Sequence, residues 1–300
     1  MNKPHHATGA PLIAGLSDIA ERYDVVLSDI WGVVHNGRES FAAATHALAE
    51  FRRRGGTVVL ITNAPRPSGP ILAQLDQLKV PREAYDGIVT SGDVTIGLIV
   101  ARGSAPVYHI GPPRDLSLFE AAAKFSGAPP PPLAPLEQAD YVLCTGLFDD
   151  EREVPGDYDA TLAAMLERRL TLICANPDLV VQRGDDMIYC AGALAQRYEE
   201  MGGPAIYAGK PHPPIYAQAL SLAGEVRGRP IDQPRVLAIG DAMRTDVAGA
   251  VAQGVDVLFV TAGIHGEELH GDAPMAATAL EQFSTRHGLW PTAAIRDLVW

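Results

Sequence analysis

The feature that most limits what this chain can fold into is a short, valine-rich run that ends in an aspartate. The run begins at Val25, reaches Asp29, and continues through Gly32 into a second apolar pair. Continuous apolar runs of this length are typical of strands buried on both faces of a parallel sheet. Because open α/β sheets bind ligands at the carboxyl ends of their strands, the pattern places Asp29 where a functional site is expected. An aspartate that caps a turn would give the same local pattern.

Similar apolar runs recur along the chain and are separated by helical patterns. Strands are predicted at 57–63 and 235–241, and each ends in polar residues. Apolar residues recur at helical spacing over 41–54, and helices are also predicted over 12–23 and 289–300. This alternation, with short connections, predicts an α/β fold with a Rossmann-like, doubly wound parallel sheet.

A second α/β pattern lies inside the first and predicts an inserted, smaller domain. We predict a core domain formed by 1–91 and 193–300, and an inserted α/β domain over 92–192. The strand predicted at 206–208, just before Lys210, is assigned to the core domain. A chain of 300 residues is long enough for two domains of this size.

Composition excludes several classes of partner. The formal net charge of −12 disfavours nonspecific binding to nucleic acid or to an anionic membrane surface. No apolar stretch is long enough to span a membrane, and the first residues lack the apolar core of a secretory signal. Cys144, Cys174 and Cys190 show no C-x-x-C spacing, which predicts three buried thiols in a reducing compartment. We therefore expect a cytoplasmic protein.

Polar residues follow four of the predicted strands. They are Asp29, the pair Thr62-Asn63, Lys210, and Asp241 with Asp246. Strands of a parallel sheet point the same way, so these side chains are expected to meet at one edge. Carboxylates that lie close together repel unless a cation separates them, and hard oxygen ligands suit Mg²⁺. The sequence thus predicts a magnesium site, with Lys210 and Thr62 available for a phosphate group.

At these positions the chain resembles the haloacid dehalogenase (HAD) superfamily, in particular its class IIA of 4-nitrophenylphosphatases and nucleotidase-like phosphatases. Ala175-Asn176-Pro177-Asp178 resembles a signature of the class IIA cap, the C2-type α/β insertion. The other matching segments, in chain order, are Asp29-Ile30-Trp31-Gly32-Val33, Thr62-Asn63, Gly209-Lys210-Pro211 and Gly240-Asp241-Ala242-Met243-Arg244-Thr245-Asp246.

The resemblance implies a Mg²⁺-dependent phosphatase that acts on a small phosphorylated metabolite. Asp29 would attack phosphorus and form an aspartyl-phosphate. Thr62, Asn63 and Lys210 would bind the phosphoryl group. The implied metal ligands are Asp29, the backbone carbonyl of Trp31, Asp241 and Asp246, the last of which would alternatively orient Lys210 or a metal-bound water. Class IIA relatives also suggest a homodimer formed through the cap.

One residue departs from the family pattern. In most family phosphatases a second aspartate lies two residues after the nucleophile and acts as the general acid and base, but here Trp31 occupies that position. Indole cannot transfer a proton at neutral pH, and general acid–base catalysis contributes about 10²–10⁴-fold in rate. We expect His35 to be a loop histidine that faces the cap or solvent, with a substitute acid–base role as the alternative.

Several alternatives follow from these residues. Trp31 also fits a phosphate-ester binding protein that keeps the fold and metal site but has lost turnover. Phosphonate chemistry would need a cap lysine, and Lys124 is the lysine that the predicted cap offers. Asn176 and Asp178 are expected to form a turn rather than to face substrate. Arg66 and Arg244 either add positive charge beside the site or are solvated.

Overall fold

The structure, a computed structural model, describes residues 9–183, 186–270 and 277–300. The chain divides into two compact units. The first unit comprises Met1–Ile61, Leu75–Ile88 and Tyr216–Trp300, and the second comprises Thr62–Gln74 and Val89–Ile215. None of the helices in the described ranges combines the length and apolar character needed to cross a membrane.

Strands and helices alternate along most of the chain. The strands are β1 (Val25–Ser28), β2 (Thr57–Thr62), β3 (Gly87–Thr90), β4 (Val107–Ile110), β5 (Tyr141–Cys144), β6 (Thr171–Cys174), β7 (Val180–Arg183), β8 (Asp186–Tyr189), β9 (Ala205–Tyr207), β10 (Val236–Gly240), β11 (Asp256–Val260) and β12 (Ala293–Ile295). The helices are α1 (Ala42–Arg53), α2 (Ser68–Gln77), α3 (Ser91–Val100), α4 (Ser117–Ser126), α5 (Asp159–Glu167), α6 (Ala191–Glu200), α7 (Pro213–Arg227), α8 (Ala248–Ala252), α9 (Gly266–His270) and α10 (Ala277–His287).

The larger sheet has the strand order β12-β11-β10-β1-β2-β3. The four pairings from β12 to β2 are parallel. Val25, Val26 and Leu27 of β1 are fully buried, as expected for a strand with both faces covered. Parallel sheets with flanking helices confirm the predicted fold class. The helix predicted over 41–54 is confirmed as α1, which buries one apolar stripe that includes Leu48 and Phe51.

The second sheet is also parallel and has the order β4-β5-β6-β9. Apolar clusters line it, one formed with α5 and α6 and the other with α3 and α4. Cys144, Cys174 and Cys190 are buried and lie outside any disulfide, which confirms the predicted buried thiols. β7 and β8 form an antiparallel pair, which the sequence analysis did not predict.

Two predicted helices are wrong. Over 12–23 the chain forms two short 3-10 turns, Leu16–Asp18 and Ala20–Arg22, because backbone hydrogen bonds near Leu12 join this segment to β12. Over 289–300 the chain forms β12 instead of a helix. The three residues of β12 are buried and pair with β11, so tertiary pairing outweighs the local helical pattern.

The strand before Lys210 belongs to a different sheet from the one predicted. β9 pairs in parallel with β6, so it completes the second sheet and not the larger one. A run of three residues carries no periodicity that could assign it to either sheet. The predicted division into a core (1–91 and 193–300) and a cap (92–192) stays a prediction.

Candidate active site

Asp29 lies directly after β1, an interior strand of the larger sheet. Its backbone N–H donates to the carbonyl oxygen of Ile239 at 2.8 Å, which extends the pairing with β10 by one residue. The Ser28 hydroxyl donates to the Asp29 carbonyl oxygen at 2.9 Å. The sheet therefore fixes the backbone of Asp29, and only 7% of the residue is exposed.

Two further carboxylates follow β10. Asp241 is the first residue after the strand, and its Oδ2 accepts the N–H of Ile264 at 2.8 Å. Asp246 lies in a π-helical turn, Met243–Val247, that leads into α8. Its Oδ2 accepts the N–H of Ala242 at 3.1 Å. Both aspartates are buried, and these backbone donors hold their side chains in place.

The three carboxylates form one group. Asp29, Asp241 and Asp246 each offer a carboxylate oxygen, and these oxygens lie within 4.8 Å of one another. Because the group is buried, its negative charges repel strongly unless a cation lies among them. Mg²⁺ prefers oxygen ligands and is usually held by one or two carboxylates together with water and phosphate oxygens. The donor set therefore fits the predicted Mg²⁺.

Because Gly32 has no side chain, the Asp241 carboxylate can lie against its backbone. Its φ is +76°, a left-handed backbone conformation that residues other than glycine rarely adopt. A Cβ atom added there would lie 2.0 Å from Oδ2 of Asp241. Glycine at position 32 is therefore required both by the turn and by the Asp241 carboxylate beside it.

His35 is part of the loop that contains Trp31, and it does not face solvent. Only 1% of His35 is exposed, its Nδ1 accepts the N–H of Gly37 at 3.0 Å, and its ring lies edge-on to the Trp31 indole at 4.9 Å. Burial lowers the pKa of His35 to about 4. His35 is a loop residue as expected, but the expectation that it faces solvent is wrong because its ring is buried. That it faces the cap stays a prediction. At neutral pH the ring is uncharged and braces the loop.

Lys210, in the second unit, is only 2% exposed. Its backbone N–H donates to Oδ1 of Asn63 at 2.7 Å, and its carbonyl oxygen accepts from Nδ2 of Asn63 at 3.0 Å. Nδ2 also donates to Oδ1 of Asp178 at 2.9 Å. Thr62 is buried, and its Oγ1 accepts the N–H of Ala64 at 3.2 Å. The side-chain amide of Asn63 is thus used by protein groups, so the predicted phosphate contact of this residue would fall to its backbone N–H.

Asp178 is held by the turn that the sequence predicts. Its backbone N–H donates to Oδ1 of Asn176 at 3.1 Å, the geometry of an Asx turn after β6. This confirms the turn for Asn176 and Asp178. The link from Asp178 to Asn63 was missed, because nothing in the sequence relates residues 115 positions apart in the chain.

A buried polar network occupies the carboxyl edge of the second sheet. Nε2 of His109 lies 3.0 Å from Oγ1 of Thr145, and the Thr145 side chain hydrogen-bonds Asp115. Burial lowers the pKa of His109 to about 4. Burial also raises the pKa of Asp115, while the hydrogen bond from Thr145 and the charges of Arg114 and Arg66 act in the opposite direction.

The structure therefore gathers the predicted site residues into two groups. The carboxylates Asp29, Asp241 and Asp246 lie together in the first unit. Asn63 and Lys210 are in contact in the second unit. Arg66 is half-buried there, and Arg244 is exposed in the first unit. The roles of these residues, including the Trp31 carbonyl as a metal ligand, stay predictions.

Sequence reasoning also missed the backbone donor at Ile264. It lies four residues after β11, at the same edge of the sheet as Asp241. The sequence does carry a signal, since the apolar run 256–260 is typical of a buried strand whose carboxyl end lies at this edge.

Two family models match the chain. One, described as haloacid dehalogenase-like hydrolase, matches residues 26–123, and the other, described as HAD-hydrolase-like, matches residues 207–283. The first match contains Asp29 and Thr62, and the second contains Lys210, Asp241 and Asp246. The matched segments therefore contain both groups of site residues.

Known proteins resemble the chain over most of its length. The crystal structure of a haloacid dehalogenase-like hydrolase from Brucella suis 1330 is 42% identical, with a TM-score of 0.83, covering 96% of this chain and 100% of that one. A 5'-nucleotidase of Bacillus subtilis is 23% identical over 82% of this chain and 90% of its own length. A D-glycerol 3-phosphate phosphatase of Mycobacterium tuberculosis is 27% identical over 83% of this chain and 66% of its own length.

Together, the parallel α/β fold, the acidic cluster and these matches identify the chain. It belongs to the haloacid dehalogenase superfamily of hydrolases and, within it, to class IIA with the 4-nitrophenylphosphatase-like and nucleotidase-like enzymes.

Proposed function

We propose that this protein is a Mg²⁺-dependent phosphatase that hydrolyses a small phosphorylated metabolite through an aspartyl-phosphate on Asp29. The observation that carries the proposal is the group of three buried carboxylates whose oxygens lie within 4.8 Å of one another. A cation would neutralise the repulsion among three buried carboxylates. Asp29, as the proposed nucleophile, also needs this neutralisation before it can approach a phosphate dianion.

Each site residue has a proposed task. Asp29, Asp241, Asp246 and the Trp31 carbonyl would hold Mg²⁺, which when bound neutralises charge and polarises the phosphoryl oxygens. An Asp29 carboxylate oxygen forms a bond to phosphorus as the bond to the leaving oxygen breaks. Water then cleaves the aspartyl-phosphate, which releases phosphate and restores the Asp29 carboxylate.

The proposed tasks of Thr62 and Lys210 are to bind the phosphoryl oxygens, with the Asn63 backbone N–H as a further donor. The ammonium group of Lys210 offsets negative charge on the phosphate. Two observations support this proposal. All three residues are buried, and all three lie in segments that the family models match.

The substrate class follows from the relatives. Their names describe a 5'-nucleotidase and a D-glycerol 3-phosphate phosphatase, both of which release phosphate from small molecules. We extend this class to the present chain, with a cytoplasmic location and a homodimer as further expectations.

Trp31 makes the proposed enzyme slow on ordinary esters. Without a general acid, the rate falls by about 10²–10⁴-fold unless the leaving group departs without a proton. His35 does not replace the missing acid, because its pKa of about 4 leaves it deprotonated at neutral pH and Gly37 occupies its Nδ1. Trp31 in place of the general acid also favours the second candidate function, a phosphate-ester binding or regulatory protein.

Lys124, the lysine that phosphonate chemistry would need, is an exposed residue of α4.

The test is phosphate release from a panel of activated and ordinary phosphate monoesters, with and without Mg²⁺. Asp29→Asn should abolish turnover because the nucleophile is lost. Asp159→Asn, a change of the same kind at an exposed helical position paired with Arg197, should leave turnover intact. Turnover without Mg²⁺, or turnover that survives Asp29→Asn, would contradict the proposal. A folded protein that binds the esters but releases no phosphate would support the second candidate.

A further inference from the structure

We propose that Asn63 is a positioning residue, which fixes the backbone of Lys210 and couples it to Asp178. The inference rests on the phosphoryl-binding function proposed for Lys210, and it adds how that lysine is held. All three residues belong to the second unit.

One side-chain amide binds both backbone groups of the same residue. Oδ1 of Asn63 accepts the N–H of Lys210 at 2.7 Å, and Nδ2 donates to the Lys210 carbonyl at 3.0 Å. Two hydrogen bonds to one peptide segment restrict both its position and its rotation. The Asn63 amide thus pairs with the N–H and C=O of Lys210, as the backbone of a neighbouring strand does in a β-sheet.

The second N–H of the amide is also committed. Nδ2 of Asn63 donates to Oδ1 of Asp178 at 2.9 Å, so the carboxylate accepts a hydrogen bond that fixes which end of the amide is oxygen. In the reverse orientation the amide oxygen would face two oxygen acceptors and its N–H groups would face the Lys210 N–H. The orientation is therefore determined by its three partners.

The surroundings leave the amide no freedom to bind elsewhere. Only 3% of Asn63 is exposed. The neighbouring residue is Gly209, where an added Cβ would lie 2.4 Å from Oδ1 of Asn63 and 2.8 Å from Cδ of Pro177. Asp178 is itself anchored by the Asx turn with Asn176. The hydrogen-bonded chain Asp178–Asn63–Lys210 therefore connects two fixed turns.

Positioning matters because a lysine side chain is long and flexible. The ammonium group reaches a defined point only if the backbone that carries it is fixed. Misplacement of a reacting group by about 1 Å costs on the order of 10²-fold in rate. We therefore expect loss of the Asn63 amide to lower kcat more than it raises KM.

A reciprocal exchange of the two side chains tests the coupling. Asn63→Asp alone places two carboxylates against each other and should lower kcat by about a hundredfold. The double variant Asn63→Asp/Asp178→Asn restores a donor opposite an acceptor between the two side chains, while the Lys210 carbonyl loses the N–H that Asn63 donates to it. We expect it to regain at least tenfold over the single variant.

Amide hydrogen exchange at Lys210 gives a readout independent of activity. Asn63→Ala removes the acceptor, so the Lys210 amide should exchange at least tenfold faster than in the wild type. Exchange that stays slow in Asn63→Ala, or a double variant no more active than Asn63→Asp, would overturn the inference. If the wild type shows no turnover on any ester, the proposed function fails, and the exchange measurement alone decides whether Asn63 holds Lys210.

Discussion

The two parallel sheets of this protein place polar residues at their carboxyl edges in different ways. At the larger sheet, Asp29, Asp241 and Asp246 bring three like charges together. At the second sheet, His109, Thr145 and Asp115 form a hydrogen-bonded network of a base, a hydroxyl and an acid. Asp115 and Thr145 are buried like the three aspartates, and His109 is half-buried, so burial of the carboxylates does not distinguish the two groups.

The difference lies in what each group needs from outside the chain. Thr145 satisfies Asp115 with a hydrogen bond, and the charges of Arg114 and Arg66 further offset its burial. Asp241 and Asp246 also accept backbone N–H groups, but a hydrogen bond from a neutral donor does not cancel the repulsion among three like charges. The same sheet geometry therefore produces one edge completed within the protein and one that we propose is completed by a metal ion.

The largest effect is expected from crowding the acidic edge. Gly32→Ala places a Cβ 2.0 Å from Oδ2 of Asp241 and should displace that carboxylate. We expect Mg²⁺ affinity and phosphate release to fall by about a hundredfold or more, as measured by calorimetric titration and by turnover.

Gly55→Ala is the matched control. Gly55 also has a left-handed φ, +88°, but an added Cβ there would meet no atom within 4 Å. It should show the cost of backbone strain, about 1 kcal/mol, and keep its Mg²⁺ affinity. Equal losses of Mg²⁺ affinity in the two variants would show that strain and not crowding is responsible.

The next effect, of comparable size, is expected at the second edge, in acid. The pKa of His109 falls from an ordinary 6.5 to about 4, so the unfolded chain binds the proton more readily. The free energy of unfolding therefore falls as the pH drops from 6.5 towards 4, because the unfolded chain gains the proton first. The loss amounts to about 3 kcal/mol. His109→Gln keeps a nitrogen near Thr145 and cannot be protonated, so its urea unfolding free energy should fall less between pH 7 and 4. Parallel pH profiles would refute the assignment.

The smallest effect is expected at Asp115. Burial raises its pKa above the ordinary 3.8, so stability present below that pH is lost as the pH rises through the folded-state value. Asp115→Asn retains an acceptor for Thr145 without the charge. Its melting temperature relative to wild type should therefore rise from pH 4 to pH 7, since His109 titrates in both proteins. A difference that falls with pH would mean that Arg114 and Arg66 outweigh burial.

The acidic group was predictable because each of its strands is marked by a short sequence pattern. Asp29 and Asp241 each follow a buried apolar run, and parallel strands necessarily bring such ends together. A glycine directly before the second apolar pair likewise indicated a tight turn at Gly32. The fold class followed from the same alternation of strands and helices.

What the sequence could not supply depends on contacts between distant segments. The three-residue strand β9 has no pattern of its own, so its pairing with β6 could not be foreseen. The tail 289–300 is apolar enough for a helix, yet pairing with β11 makes it a strand. For the same reason the phosphate-binding role predicted for Asn63 did not include its contacts with Lys210 and Asp178.

The central claim is that the acidic edge holds Mg²⁺ whereas the second edge needs no ion. It is tested most directly by the melting temperature of three proteins as Mg²⁺ is added: wild type, Asp241→Asn and Asp115→Asn. A ligand at about 100 times its Kd stabilises the folded state by about 2.7 kcal/mol. We predict a rise of several degrees for wild type and Asp115→Asn and none for Asp241→Asn. An equal rise in all three proteins would contradict the account.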